Sequence, residues 1–170
     1  MSEDELVERC KRGDQQAQRQ LYEQTSARIY SFLLRNTANP EDAADLLQET
    51  YLRVFRGIDR FHGKCSVATW IYQVALNQTR QWARLLNRRK VETNVPQERL
   101  SANCEEASSP SAIEIDDAIS RLTKDERAMI ILRHFEGMSY REIAHVLGKP
   151  PGTIASGLNR AREKLRELLE

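Results

Sequence analysis

The sequence predicts an all-α protein of two small helical domains joined by a flexible linker. Nearly every apolar pattern in the 170-residue chain repeats at about 3.6 residues, and strand signals are nearly absent. The periodicity is lost over one long stretch only, from about 91 to 112. We therefore expect domains at 1–90 and 113–170, with a linker at 91–112 between them.

Four helices are predicted in the N-terminal domain. A short first helix ends near Gly13, and a longer second helix follows it. The segment NPED starts a third helix, because Asn39 can cap it and Pro40 suits its first position. After the polar loop RFHGKC, Ser66 can cap a fourth helix, whose apolar periodicity stops at about Asn87.

The linker at 91–112 is polar and acidic. The stretch 91–117, which includes the linker, carries one basic and seven acidic residues, while 1–90 and 118–170 carry net charges of +4 and +3. A structureless stretch of this length inside one compact domain would be unusual. We therefore expect a flexible tether between two basic domains that move independently in the free chain.

The C-terminal domain is predicted to start near Ile113. Two capping boxes, one at Thr123 and Glu126 and the other at Ser139 and Glu142, mark the starts of two of its helices. These starts divide the domain into several short helices, and the second capping box opens the last helical pair of the chain.

A sharp turn in the segment GKPPG separates two helices at 139–147 and 151–168. Gly148 suits the left-handed position after a helix, and Pro151 can open the next helix. Such a corner can place its second helix in the major groove of DNA. The candidate DNA contacts on this side are Lys149, Thr153, Ser156, Arg160 and Arg162. An ordinary helical corner with a solvated basic face remains open at this point.

A second basic feature lies in the fourth helix. Arg80, Arg84 and Arg88 are spaced four residues apart and form one stripe, with Trp82 on an adjacent face. Cations beside an aromatic ring suit a nucleic-acid backbone with unstacked bases. The alternative is a solvated face with Trp82 in the core. Two basic domains on one chain together favour nucleic-acid binding.

Other classes of function have little support in the sequence. No apolar run approaches the roughly 18 residues of a membrane span, and the N-terminus lacks a signal-peptide core, so we expect a cytoplasmic protein.

Cys10, Cys65 and Cys104 are far apart and are expected to be unpaired thiols. Glu142 and His145 have the spacing of a di-iron ligand pair but no second copy. We expect no enzymatic activity, cofactor, metal or small-molecule substrate.

Two segments resemble a known family. AADLLQETYLRVFRGIDRFHGKCSVATWIYQVALN (43–77) resembles region 2 of bacterial sigma factors, and LTKDERAMIILRHFEGMSYREIAHVLGKPPGTIASGLNRAREKL (122–165) resembles region 4. With only a short linker between them, the chain resembles the extracytoplasmic-function (ECF) sigma factors over about 5–90 and 113–168. The resemblance implies an alternative sigma factor that directs transcription initiation at −10 and −35 promoter elements. Its implied partners are core RNA polymerase, promoter DNA and an anti-sigma factor.

The resemblance also implies roles for individual residues. The helix matching 43–57 docks on the clamp of the polymerase large subunit in the family, and its matching residues here are Asp45, Leu46, Gln48 and Glu49. The loop 61–66 and the helix after it match the part that captures a flipped −10 base. The implied −10 contacts are Lys64, Asn77, Arg80 and Arg84, with Asn77 at the base-reading position.

Two positions depart from the family pattern. Family members commonly have basic residues where this chain has Ala155 and Gly157, so the resemblance implies a weak or unusual −35 readout. Restoring both cations is expected to tighten −35 binding, and replacing the glycine is expected to stabilise the helix by roughly 0.5–1 kcal/mol. The alternative is that Gly157 permits close approach of the backbone to DNA.

Two further functions remain open from the sequence. A stand-alone helix-turn-helix regulator could share the C-terminal domain, although it has no use for a polymerase-docking DLLQET helix. A helical protein-interaction module that does not bind DNA would explain the missing cations at 155 and 157.

Overall fold

The computed structural model describes residues 2–93 and 110–170, and within these ranges the chain is all-α, as predicted. The elements are α1 (Glu3–Lys11), α2 (Gln15–Thr37), α3 (Pro40–Gly57), a 3-10 turn (Ile58–Arg60), α4 (Val67–Thr93), α5 (Pro110–Ser120), α6 (Lys124–Ile130), a π-helical turn (Ile131–Phe135), α7 (Tyr140–Leu147) and α8 (Pro151–Leu169). Most of the expected linker, from 94 to 109, lies outside the described residues, as does Cys104. We refer to α1–α4 as the N-terminal unit and to α5–α8 as the C-terminal unit.

Helix starts follow the local chemistry that the sequence contains. The Asn39 side-chain oxygen accepts hydrogen bonds from the amides of Glu41 and Asp42, at 2.9 and 3.1 Å. The hydroxyl of Ser66 accepts from the Thr69 amide at 3.1 Å, and both expected capping boxes are formed. Each start is therefore set by a side chain that satisfies amides with no partner inside the helix.

Helix α4 is longer than its apolar pattern indicates. It continues to Thr93, although the periodicity stops at about Asn87. The extra turns contain Arg88, Arg89 and Lys90, which are exposed. Arginine and lysine are good helix formers, so propensity extends the helix beyond the part that is packed.

The core of the N-terminal unit is built by α2, α3 and α4 around Phe32, Leu33, Ile71 and Tyr72. The Phe32 and Tyr72 rings meet edge to face with centroids 5.4 Å apart. In the C-terminal unit, α6, α7 and α8 pack together over Ile131, Leu132, Ile143, Ile154 and Leu158. These two cores fix the outer faces of α4 and α8, where the candidate DNA contacts lie.

The two units are in contact, which the sequence did not lead us to expect. Helix α7 packs along α4, and α2 contacts α5, α6 and the π-helical turn. The Gln73 side-chain amide donates to the His145 carbonyl at 3.4 Å, and the Arg127 guanidinium donates to the Asn36 carbonyl at 3.1 Å. The two units touch in this structure, and independent movement of the domains in the free chain stays a prediction. Helix packing, a shared apolar cluster and these polar side chains together make the contact, and no periodic pattern within one helix indicates it.

None of the helices in the described part of the chain combines the length and apolar composition needed to cross a membrane.

Candidate nucleic-acid interface

A groove of about 750 Å³ lies between α3 and α4 on the outer side of the N-terminal unit. Five arginines line it: Arg53, Arg56, Arg60, Arg80 and Arg84. Asn77 and Gln81 add two exposed amides from α4. A cationic groove with amides along one wall suits a single nucleic-acid strand, because cations bind phosphates and amides can pair with base edges.

The groove brings together three of the four predicted −10 contacts. Asn77, Arg80 and Arg84 line it from α4, whereas Lys64 is exposed in the preceding loop and is not among the lining residues. Arg88 continues the stripe beyond the groove. Trp82 is partly buried against the core, so it is not an exposed stacking platform.

Three groove arginines were missed by the sequence reasoning. Arg53 and Arg56 are three residues apart on α3, and Arg60 follows in the 3-10 turn. A signal for them existed, because residues three, four and seven positions apart share one helix face. The apolar pattern of this segment predicts only its buried side, whereas the basic side follows from the spacing of the arginines.

Helix α3 presents a second, acidic face. Asp45 and Gln48 are exposed, and Glu49, which also lines the edge of the groove, is half-exposed and pairs with Arg53 at 2.7 Å. Leu46, the expected apolar anchor for a partner, is instead 7% exposed and belongs to the core. Leu52 is 44% exposed and shares a helix face with Asp45 and Gln48. Of the four predicted docking residues, only Leu46 is therefore placed wrongly, because it lies on the buried side of the helix.

The C-terminal unit contains the predicted helix-turn-helix corner. Gly148 takes the left-handed conformation with φ of 66°, and α8 begins at Pro151. Thr153, Ser156 and Arg160 are exposed on α8. The corner therefore forms as local chemistry predicts, and it presents these side chains together on the outer face of α8.

Arg162 is held in place by a neighbouring histidine. Its Nε lies 3.4 Å from Nε2 of His134. Burial, followed by the nearby Arg162 and Arg133 charges, lowers the pKa of His134. The imidazole is consequently neutral at pH 7 and can accept the hydrogen bond from Arg162.

Gly157 does not lie on the exposed face of α8. It is buried, and a Cβ at this position would lie 2.8 Å from both Sδ and Cε of Met129 on α6. Because the position is buried, the expectation that Gly157 is a missing DNA contact is wrong, and we no longer expect arginine there to stabilise the helix. The atoms that a Cβ would meet are the flexible end of the Met129 side chain, which must shift to make room. A side chain as long as arginine must also extend from a buried position, and this overpacking opposes the gain in helix propensity. Ala155, by contrast, is half-exposed.

One carboxylate connects the two candidate DNA-binding faces. Asp125, at the start of α6, accepts from Arg80 at 3.1 Å through one oxygen and from Lys149 through the other. Burial alone would raise the pKa of Asp125, but the hydrogen bonds from Lys149 and Arg80 hold it below its ordinary value. The structure thus brings together one predicted contact from each unit, and both are ion-paired.

A second polar contact joins the units at the end of the π-helical turn. The Tyr72 hydroxyl donates to Oε2 of Glu136 at 2.5 Å, and Arg28 Nε donates to the same oxygen at 3.0 Å. Arg28 also donates to the Glu136 carbonyl at 3.1 Å. Burial and this hydrogen bond raise the pKa of Tyr72, which remains a neutral donor. No pattern in the sequence indicates the π-helical turn, a feature often found at functional sites.

No group of three or more His, Cys, Asp or Glu side chains that could hold a metal ion occurs among residues 2–93 and 110–170.

Comparisons with known proteins agree on one family. The Sigma-70 region 2 model matches residues 21–89, and the Sigma-70, region 4 model matches residues 112–165. The RNA polymerase sigma-H factor of Pseudomonas aeruginosa is 30% identical over 179 residues, covering 98% of this chain and 93% of that protein. The ECF RNA polymerase sigma-E factor of Escherichia coli K12 is 30% identical over 173 residues, covering 94% and 90%.

Solved structures give the same result. The sigma factor RpoE of Bartonella quintana, solved in complex with the anti-sigma factor NepR, matches with a TM-score of 0.79 and 26% identity. The match covers 89% of this chain and 95% of that one. CnrH, solved with the cytosolic domain of CnrY, shares the fold with a TM-score of 0.72 over 96% of this chain and 94% of that one, at 24% identity.

Proposed function

The chain belongs to the ECF RNA polymerase sigma factors, and from that premise we propose that it binds core RNA polymerase and selects promoters through −10 and −35 elements. We further propose that it acts in the cytoplasm and performs no catalysis of its own. The observation that carries this proposal is the arginine-lined groove with Asn77 on its wall, in the unit that matches region 2. A stand-alone regulator or a module that does not bind DNA would need no such groove.

The groove is proposed to hold the separated −10 strand. The Asn77 amide offers one donor group and one acceptor, which can pair with a base edge. Arg80 and Arg84 are proposed to bind phosphates of the strand. The three arginines from α3 and the turn after it are proposed to do the same. Lys64, exposed in the loop before α4, is proposed as a further phosphate contact.

The exposed face of α8 is proposed to read the −35 element in the major groove. Thr153 and Ser156 offer hydroxyls to base edges from the first turns of the helix. Arg160, Arg162 and Lys149 are proposed to position the unit on phosphates.

The acidic face of α3 is proposed to dock on core polymerase. Asp45, Gln48 and Glu49 supply the polar contacts, and Leu52 replaces Leu46 as the exposed apolar side chain. Leu46 supports this face from the core. An anti-sigma factor is proposed as a further partner, on the basis of the similar RpoE chain solved in complex with one.

Run-off transcription with core polymerase and a genomic promoter library tests the proposal. We expect the wild-type chain to yield discrete transcripts. Asp45→Arg with Glu49→Arg should abolish association with core polymerase and all transcripts, because two reversed charges meet the docking surface. Asn77→Ala should keep association but reduce open-complex formation, as measured by permanganate footprinting.

Glu23→Arg provides the matched control for the charge reversal. Glu23 is exposed on α2 and pairs with Arg19 four residues away, as Glu49 pairs with Arg53, but it lies outside the proposed docking face. This variant should transcribe like the wild type. Normal polymerase pull-down by the Asp45 and Glu49 double variant would remove the docking proposal, and absence of transcripts with the wild type would contradict the function itself.

A further inference from the structure

One buried amide of the groove has no hydrogen-bond partner. Gln78 on α4 is only 5% exposed and lines the groove. Within 2–93 and 110–170, its side chain forms no hydrogen bond with any other group. Every side-chain nitrogen or oxygen in these ranges that is cut off from solvent does have a partner. The Gln78 amide must therefore reach solvent, and the groove is the open space beside it.

The free amide is an exception in this structure. The other five buried polar side chains of the described ranges all form hydrogen bonds: Asn36, Thr50, Thr69, Thr79 and Glu126. Buried polar groups are nearly always satisfied, because desolvating them without a partner is unfavourable. An amide left free where comparable groups are satisfied is available to a ligand that enters the groove.

The groove beside Gln78 can accommodate a flat ring. Gly57, the last residue of α3, lines it without a side chain, and a Cβ there would have one neighbour within 4 Å, Cζ2 of Trp70 at 3.9 Å. Val74, one turn before Gln78 on α4, adds a half-buried apolar wall. The volume of about 750 Å³ is within the range of pockets that hold small organic molecules. An apolar wall, an open side and one buried amide together suit a nucleic-acid base.

Cations lie on both walls around this position. Three arginines come from α3 and the turn after it, and Arg80 and Arg84 come from α4. The acidic residue among those that line the groove, Glu49, is already paired with Arg53. Because the cations are spread along two helices, they suit a strand with several phosphates better than one free nucleotide.

We propose that Gln78 reads an adenine of the separated −10 strand, with the base inserted between α3 and α4. The inference rests on the proposed function and adds to it a base-reading position beside Asn77. It is separate from the loop 61–66, because no residue of that loop lines the groove.

The choice of adenine follows from the chemistry of the amide. Adenine presents a donor at N6 and an acceptor at N7 on one edge, and a glutamine amide can pair with both at once. On the same edge guanine presents two acceptors, cytosine one donor, and thymine one acceptor beside a methyl group. Only adenine therefore satisfies both the donor and the acceptor of Gln78 through this edge.

Strand binding by the full-length chain tests the assignment. The probes are fluorescein-labelled oligothymidylates of one length with A, C, G or T at the centre, read by anisotropy at low salt without polymerase. The wild-type chain should bind the A strand about fivefold or more tighter than the T strand, as expected for one bidentate pair.

Two variants remove the pocket in different ways. Gln78→Met keeps the length of the side chain but not its amide, so the A strand should lose its advantage while affinity for the T strand stays within about twofold. Gly57→Leu fills the open side of the groove. The φ of Gly57 is −106°, so the backbone accepts a side chain, and affinity for the A strand should fall about fivefold.

Gln24→Met is the matched control. Gln24 is an exposed amide on α2, outside the groove, so the same chemical change should leave the affinity for every strand as in the wild type. Circular dichroism and thermal unfolding check that each variant remains folded.

Each result supports or overturns the assignment. Loss of the adenine preference in Gln78→Met, with the T strand still bound, supports it. A preference that survives in Gln78→Met, a preference for another base, no preference in the wild type, or equal losses for all strands overturns it. Competition by free adenosine monophosphate that matches competition by the unlabelled A strand would overturn the strand as the ligand. Run-off transcription by the wild-type chain with core polymerase separates these outcomes from failure of the proposed function.

Discussion

The two candidate DNA-binding helices, α4 and α8, differ in where their basic side chains lie. Helix α4 contributes Arg80 and Arg84 to a groove that three more arginines complete. Helix α8 has no lysine or arginine from 151 to 159, and its cations begin at Arg160. The DNA-facing part of α4 therefore presents positive charges, whereas the first turns of α8 present hydroxyl groups.

Packing explains the difference. The first turns of α8 bury Ile154, Gly157 and Leu158 against the rest of the C-terminal unit, and this leaves a narrow exposed strip with Thr153 and Ser156. Few phosphate contacts from this strip mean weak non-specific attraction. A unit of this kind gains effective affinity when polymerase and the −10 contacts hold it near its site.

The largest expected effect comes from filling the packed side of α8. Gly157→Arg should destabilise the C-terminal unit by about 1–3 kcal/mol, because the end of the Met129 side chain must shift and a long side chain must extend from a buried position. Thermal unfolding measures the loss, and duplex binding should fall with it. The same helix provides a control in Gly152→Ala.

Gly152 is exposed, and a Cβ there would have no neighbour within 4 Å. Alanine at 152 should therefore be neutral or stabilising by up to about 1 kcal/mol. A stable Gly157→Arg variant with tighter DNA binding would restore the interpretation of Gly157 as an omitted DNA contact.

The contrast between the two glycines shows where sequence reasoning succeeds. Asn39, Ser66 and Gly148 act through neighbours within a few residues, so their roles follow from the sequence. Gly157 takes its role from Met129, which is far from it in sequence. Helix propensity alone could not reveal that contact.

The residues of the candidate site also fall into those that local sequence predicts and those that depend on distant contacts. Asn77 and Arg84 could be placed in it from the resemblance and the helical spacing, and both line the groove. Whether Leu46 or Leu52 is exposed depends on which side of α3 meets α2 and α4. Asp125 pairs with Arg80 only because the two units are in contact. Local sequence predicts where helices begin and end and which residues share a helix face, but not which face is buried against other helices.

A smaller effect is expected from the groove on the N-terminal side. Arg56→Ala should lower the affinity for a mixed-sequence single strand by about threefold and reduce its salt slope by about 0.7, as expected for one lost phosphate contact. Duplex binding should change less, because Arg56 lies in the groove and not on α8. Arg19→Ala on α2 removes the same charge outside the groove and should leave both values unchanged. Equal losses from the two variants would mean that net charge, not the groove, attracts the strand.

The smallest expected effect comes from adding a cation to the bare turns of α8. Ala155 is half-exposed, so a lysine there can lay its stem along the helix and keep its ammonium in solvent. Ala155→Lys should raise duplex affinity about twofold to threefold and steepen the log–log salt dependence by about 0.9, with no change in thermal stability. Anisotropy over a salt series measures both quantities, and Ala155→Gln, of similar length without the charge, is the control. An unchanged slope would mean that position 155 does not face phosphates, and the −35 face would then have to be centred on Thr153, Ser156 and Arg160. A steeper slope would mean that α8 meets DNA as proposed and that its low charge limits only the strength of non-specific attraction.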